Sequence, residues 1–221
     1  MPPIPAYADP EALLQSTAPD VWLDFTDVTS VRRHVDMAIA HGVCPVVGAT
    51  GYATTDVERW HRDCLEKEIG GITVPNFAVG ALLLMRFAAE AAKFFPTAEI
   101  IELHHSGKKD APSGTAKRTA EGMAQASVSA TTTSLAHSTE VEVVHSTDRS
   151  RGLSYCDVQI HSVRLPGLVA HQEVLFGGTG EVLTLRHDSL SRESFMPGVC
   201  IACEKVGQLR GMVYGLEHVL W

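Results

Sequence analysis

The strongest constraint on how this chain can fold is a five-residue apolar run, Val43-Cys44-Pro45-Val46-Val47, set between a glycine stop and a glycine turn. A run with no polar face is the pattern of a strand buried on both sides of a parallel sheet. It follows a helical segment, Ser30 to Ala40, that closes at Gly42, a helix-stop signal. It leads into Gly48-Ala49-Thr50-Gly51. The flanking segments repeat this unit. Asp9-Pro10-Glu11 predicts a helix with Asp as N-cap and proline at the first position. Val21–Phe25 predicts a strand ending in Asp24-Phe25-Thr26. Thr55-x-x-Glu58 reads as a capping box opening a helix to about Glu68. Ile72–Val74 predicts a strand ending at Pro75-Asn76-Phe77. The alternation implies a doubly wound parallel sheet. Ligands bind beyond the carboxyl ends of such strands, so the three turns would line a cofactor crevice. They would look the same as ordinary strand-to-helix connections.

Further on the rhythm changes. Val79 to Phe95 predicts a long apolar helix stopped by Pro96, residues 98–104 a strand, and Thr115–Ala124 a helix. After a Ser/Thr-rich loop at 126–139, period-2 strands are expected at Glu140–Val144 and 158–163. Gln172–Phe176 and Glu181–Arg186 flank Gly177-Gly178-Thr179-Gly180 as a hairpin. A last helix, Ser194 to Gln208 with Pro197 in its first turn, precedes a short strand at Met212–Tyr214 and an apolar tail. The fold class is α/β: a truncated Rossmann-like sheet, plus an inserted α+β domain with a mixed or antiparallel sheet.

Composition narrows the function. A net charge of −8 argues against non-specific binding to nucleic acid or an anionic membrane. No stretch reaches a membrane span and no leader is apparent. Five cysteines at irregular spacing do not form a disulfide framework, which favours a reducing cytoplasm. Cys200-x-x-Cys203 has a redox or zinc spacing, but no second pair accompanies it. Two small apolar residues on a buried helix explain it more simply, and no metal is expected.

Chemistry concentrates in residues 102–116, Glu-Leu-His-His-Ser-Gly-Lys-Lys-Asp-Ala-Pro-Ser-Gly-Thr-Ala. His104 and His105 are adjacent, so in extended chain they point apart and should differ in role. Histidine carries protons either way near neutrality. Lys108 can donate a proton or clamp a carboxylate. Pro112-Ser113-Gly114-Thr115 precedes a helix, whose amino end suits an anion, and Gly114 permits close approach. A surface loop with a Pro-Ser cap is the plainer alternative.

This string resembles the signature of the dihydrodipicolinate reductase family, roughly E-x-H-H-x-x-K-x-D-x-P-S-G-T-A, at every fixed position. The similarity extends through Asp24-Phe25-Thr26, Gly48-Ala49-Thr50-Gly51, Pro75–Gly80 and the stretch from His161 to Gly198. That last stretch is most similar to actinobacterial members. The resemblance implies hydride transfer from NADH or NADPH to a cyclic dicarboxylate in lysine biosynthesis. It implies His104 as general acid/base, Lys108 as proton donor, and His105, Gly114 and Thr115 as substrate-binding. Gly48, Ala49 and Thr50, with Val74, Pro75, Asn76 and Phe77, would contact the cofactor. Ala49 stands where threonine is commoner, so a backbone contact there would survive and a hydroxyl contact would not. Residues 1–77, completed by 190–221, would be a partial dinucleotide-binding domain. Residues 78–189 would bind substrate and build a homotetramer. The family's G-x-x-G-x-x-G phosphate loop does not occur in the 221 residues. Weak cofactor binding is therefore expected, and the second reading is a homologue that only binds dicarboxylate or partner subunits.

Overall fold

The computed structural model describes residues 4–131 and 149–221, which form two compact units. The first comprises Met1–Phe77 and Phe195–Trp221; the second is Ala78–Ser194.

The first unit holds α1 (Pro10–Thr17), β1 (Val21–Asp24), α2 (Val31–Ala40), β2 (Cys44–Val47), α3 (Thr54–Glu66) and β3 (Gly70–Thr73). The returning segment adds α6 (Met196–Lys205), β9 (Gly211–Tyr214) and α7 (Glu217–Leu220). Four strands pair in the order β1-β2-β3-β9, all parallel. The apolar run at β2 sits inside this sheet, with Val46 and Val47 fully buried. Val31, Val35 and Ile39 of α2 pack with Val47, Trp60, Cys64 and Met212. Each such side chain contributes about 1.5–3 kcal/mol on burial. Trp60 satisfies its indole N–H on Asp36 Oδ1 at 2.7 Å. Asp9 caps α1 through the N–H groups of Glu11 and Ala12.

Three details differ from the sequence reading. Helix α3 is capped two residues earlier than expected, at Ala53, so Asp56 rather than the Thr55/Glu58 pair does the capping, accepting the Ala53 N–H at 2.8 Å. Cys200 and Cys203 lie on α6, but Cys200 is exposed and Cys203 half-buried, so that helix face is not interior. The apolar tail forms α7.

The second unit contains α4 (Val79–Ala91), β4 (Thr97–His104), α5 (Gly114–Thr131), β5 (Leu153–Tyr155), β6 (Val158–Arg164), β7 (Ala170–Gly178) and β8 (Glu181–Ser189). Its sheet runs β5-β6-β4-β7-β8 and is mixed: β4 pairs parallel with β6 and antiparallel with β7. Ile100, Ile160, Val174 and Phe176 turn to one face and pack with Leu84, Ala88, Ala116, Ala120 and Met123 of the two helices. Helix α5 runs past the expected stop at Ala124. Ser127 Oγ donates to the carbonyls of Met123 and Ala92, both at 3.0 Å, so the hydroxyl is satisfied within the helix and against its neighbour. The expected strand Glu140–Val144 and loop residues 132–139 lie outside the described residues. The hairpin is tighter than expected, with Gly178 paired to Glu181 and only Thr179-Gly180 in the turn. Strand β5 was not anticipated. It turns into β6 through Cys156 and Asp157, both at positive φ, a pairing that lacks the usual Asn-Gly signal. No helix among the described residues is long and apolar enough to cross a membrane.

Candidate functional site

In the first unit the carboxyl ends of β1, β2 and β3 carry the three predicted turns. Asp24, at the end of β1, is almost wholly buried and organises the first. Its carboxylate accepts the Thr26 N–H at 2.9 Å, the Thr26 hydroxyl at 2.6 Å and His34 Nδ1 at 2.9 Å. Burial pushes this carboxyl up, but the hydrogen bonds from Thr26, His34 and Trp22 prevail and hold it below its ordinary value. The Asp24 carbonyl accepts the N–H groups of Gly48 and Ala49, at 2.8 and 3.1 Å, which ties the second turn to the first. Val74 N–H donates to the Val47 carbonyl at 2.8 Å and ties in the third. A Cβ at position 48 would lie 2.3 Å from the Phe25 ring, so only glycine allows that ring its place. The Phe25 ring is half-exposed and stands 5.3 Å from that of buried Phe77. Ala49 and Val74 are buried, Asn76 is half-buried, and Thr50 and Pro75 are exposed. None of the three turns carries a lysine or arginine.

The second unit holds the His104 cluster. Alternation along β4 puts Glu102 and His104 on the sheet's helix-covered face. Glu102 is fully buried. Its Oε2 lies 2.5 Å from His104 Nδ1 and accepts Arg164 Nη1 at 2.8 Å. Its Oε1 accepts Arg164 Nη2 at 2.7 Å and the Ser113 N–H at 3.2 Å. Arg164 reaches it because β6 runs parallel to β4 with Arg164 opposite His104 and Ser162 opposite Glu102. Burial raises the Glu102 carboxyl, but bonds from His104, Arg164 and Ser162, with the guanidinium charge, bring it down to about 2.

Beyond β4 the chain turns. His105 is exposed, and its carbonyl accepts the Lys108 N–H at 3.1 Å. Lys108 Nζ pairs with Asp110 at 2.8 Å, and Lys109 is exposed. Ser113 then caps α5, its Oγ accepting the Ala116 N–H at 3.2 Å. Gly114 is the first helical residue and exposed, and a Cβ built on it meets nothing within 4 Å. Helix N-terminal N–H groups have no intrahelical partner, so this turn offers donors and open space to an anion.

Of the predicted residues, His104 and the Ser113-Gly114-Thr115 turn are joined through one carboxylate. The turns at 48–50 and 74–77 are joined through backbone bonds in the other unit. Glu102 and Arg164 are the members that residue-type reasoning passed over. An acid two positions before a histidine, on the same face of a strand, was the available signal for Glu102. Arg164 lies 62 positions from Glu102, and only strand register brings it there. Among the described residues no group of three or more potential ligands could hold a metal.

Comparison with known proteins identifies the family and the fold. Residues 3–77 match the family model described as dihydrodipicolinate reductase, N-terminus, and residues 80–220 the corresponding C-terminus model. The 4-hydroxy-tetrahydrodipicolinate reductase of Geobacillus kaustophilus is 50% identical over 216 residues, covering 98% of this chain and 79% of the relative. That of Streptococcus uberis is 52% identical over 217 residues, covering 98% and 82%. A solved dihydrodipicolinate reductase from Paenisporosarcina sp. TG-14, described as dipicolinate bound, superposes with a TM-score of 0.80. It is 43% identical, with 99% of this chain and 83% of that one covered. A Mycobacterium smegmatis amine dehydrogenase, 11% identical at a TM-score of 0.52, shares the fold alone.

Proposed function

The chain belongs to the dihydrodipicolinate reductase family, and from that premise we propose how its residues divide the work. The enzyme is a 4-hydroxy-tetrahydrodipicolinate reductase of lysine (diaminopimelate) biosynthesis, an oxidoreductase using a pyridine nucleotide. The cofactor, NADH or NADPH, supplies a hydride to the cyclic dicarboxylate. One proton is taken up and one hydroxyl leaves as water, giving tetrahydrodipicolinate.

Gly48, Ala49 and Thr50, with Val74, Pro75, Asn76 and Phe77, hold the nicotinamide end. Their donor set suits it: backbone amides, one exposed hydroxyl and the half-exposed Phe25 ring, without a cation. That set fits an uncharged ring and not a pyrophosphate. Gly114 and Thr115 take a substrate carboxylate at the amino end of α5, and exposed His105 binds at its rim. His104 moves the proton as general acid/base, and Lys108 donates one near the reacting centre. The observation that carries this reading is His104, only 14% exposed, sharing the Glu102 carboxylate with the capped turn that receives the substrate.

Replacing His104 tests it. General acid/base catalysis is worth about 10²–10⁴-fold, so H104Q should lose turnover on that scale while still binding pyridine-2,6-dicarboxylate. Unchanged turnover would remove His104 from the mechanism.

The homotetramer belongs to the same proposal. Ile101, Leu103, Val163 and Leu175 alternate with the core residues and face away from α4 and α5; Val182, on the same face, is 69% exposed. Packing these faces together would bury them. Sedimentation should find four copies, and Leu175→Arg should separate them. Five free cysteines support a reducing, cytoplasmic setting.

A further inference from the structure

We propose that Glu102 is a positioning residue that fixes which nitrogen of His104 faces the substrate, and that it couples this choice to the carboxylate-binding turn. The inference rests on the reductase reading for its consequence but on geometry for its substance.

The Glu102 carboxylate is enclosed by donors. Oε2 faces Arg164 Nη1 at 2.8 Å and His104 Nδ1 at 2.5 Å. Oε1 faces Arg164 Nη2 at 2.7 Å and the Ser113 N–H at 3.2 Å. Guanidinium and backbone N–H groups can only donate. The Ser162 hydroxyl also bonds this carboxylate and, like His104, could in principle change role, but an ionised carboxylate only accepts: His104 Nδ1 must carry the proton. Neutral His104 then presents a bare Nε2 away from Glu102. Once protonated, it presents an Nε2–H there. A ring held this way can both receive and return a proton at one nitrogen. The opposite tautomer has no lone pair at Nε2 and could not receive a proton there without rearranging.

Arg164 serves this arrangement twice. It engages both carboxylate oxygens, and its Nη2 also donates to the Asp110 carbonyl at 2.7 Å. Asp110 is the residue whose carboxylate pairs with Lys108. The network therefore joins the end of β4, the turn bearing Lys108 and the cap of α5. A shift of Glu102 would disturb the proton carrier and the carboxylate cradle together.

An amide in place of the carboxylate makes the idea specific. In E102Q the NH2 group must occupy one of the two oxygen positions. At Oε1 it would meet Arg164 Nη2 and the Ser113 N–H, both fixed donors. At Oε2 it would meet one fixed donor and His104, which can turn acceptor. The amide should therefore settle at Oε2 and push His104 into the Nε2–H tautomer.

Nitrogen-15 imidazole spectra of the full chain read this directly. In the unaltered protein, neutral His104 should be the Nδ1–H tautomer; an Nε2–H tautomer would overturn the proposal. This measurement decides the matter even if E102Q does not fold. Where it folds, E102Q should reverse the tautomer and lower kcat by about 10–100-fold. In an H104Q background the same change should cost less than about threefold, because groups acting as a unit are not additive. An unreversed tautomer, or a full additive loss, would reduce Glu102 to a structural role. Lack of turnover in the unaltered chain would count against the reductase reading and leave the tautomer result standing.

Discussion

The two sheets prepare their functional edges by different means. In the parallel sheet every strand is four residues long, and the edge is made of turns whose working parts are backbone amides, a glycine and an aromatic ring. In the mixed sheet the central strands run eight and nine residues. The functional end of β4 is built from ionisable side chains held by a buried carboxylate. A site made of backbone is sensitive to shape and tolerant of residue type. A site made of paired charges depends on identity, because removing one partner leaves the other buried and uncompensated. The difference matches the proposed division of work, a nicotinamide ring at one edge and an anion with a moving proton at the other.

The largest effect that would test this contrast is acid sensitivity. Glu102 has a folded pKa of about 2 against an ordinary 4.5. A depressed carboxyl stabilises the fold above its unfolded pKa, and that contribution fades as pH falls through the folded value. The shift corresponds to something on the order of 3 kcal/mol. The difference in urea midpoint between the unaltered chain and E102Q should be greatest near neutrality and shrink below pH 4.5. A difference that does not vary with pH would mean that the paired charges are not what makes this edge distinctive.

A smaller effect is expected at Gly48. Adding a methyl group there drives into the Phe25 ring, 2.3 Å from the new carbon, and overpacking of this kind costs about 1–3 kcal/mol. Gly48→Ala should lower thermal stability and weaken NADH binding, while leaving dicarboxylate binding intact. Phe25→Ala in the same chain should restore much of the stability. Failure of that rescue would show that the turn does not depend on shape.

Gly114→Ala should have the smallest effect, confined to the ligand. A Cβ there meets no protein atom within 4 Å, and alanine is well tolerated in a helix. Stability should stay within about 0.5 kcal/mol. Affinity for pyridine-2,6-dicarboxylate, followed by calorimetry, should fall because the methyl group enters the space the anion approaches. Unchanged affinity would move the carboxylate elsewhere.

Legibility in the sequence followed the same division. The first unit could be read almost element by element, since doubly buried strands and capped helices are local patterns. The misplaced capping box was a shift of two residues, from Thr55/Glu58 to Ala53/Asp56. In the second unit the hairpin was legible but its turn was too wide, because Gly177 and Gly178 look like turn residues and are paired strand. Strand β5 was missed, since Cys156-Asp157 reaches positive φ without the residues that usually signal it. His104, Lys108 and the Ser-Gly-Thr turn stood out by type and by resemblance. Arg164 did not, because an arginine at the end of a strand is ordinary until its neighbour is known.

Sequence alone thus determined most of the elements, the family and the residues able to carry protons or meet an anion, since these depend on side-chain chemistry and on periods of two or a few residues. Tertiary structure decided which strands lie side by side, and therefore that one buried carboxylate meets His104, Arg164 and the cap of α5 together. That outcome rests on the parallel register of β4 and β6, a pairing between segments some sixty positions apart. Local pattern carries no record of such a pairing, because its free energy arises only when the two strands meet.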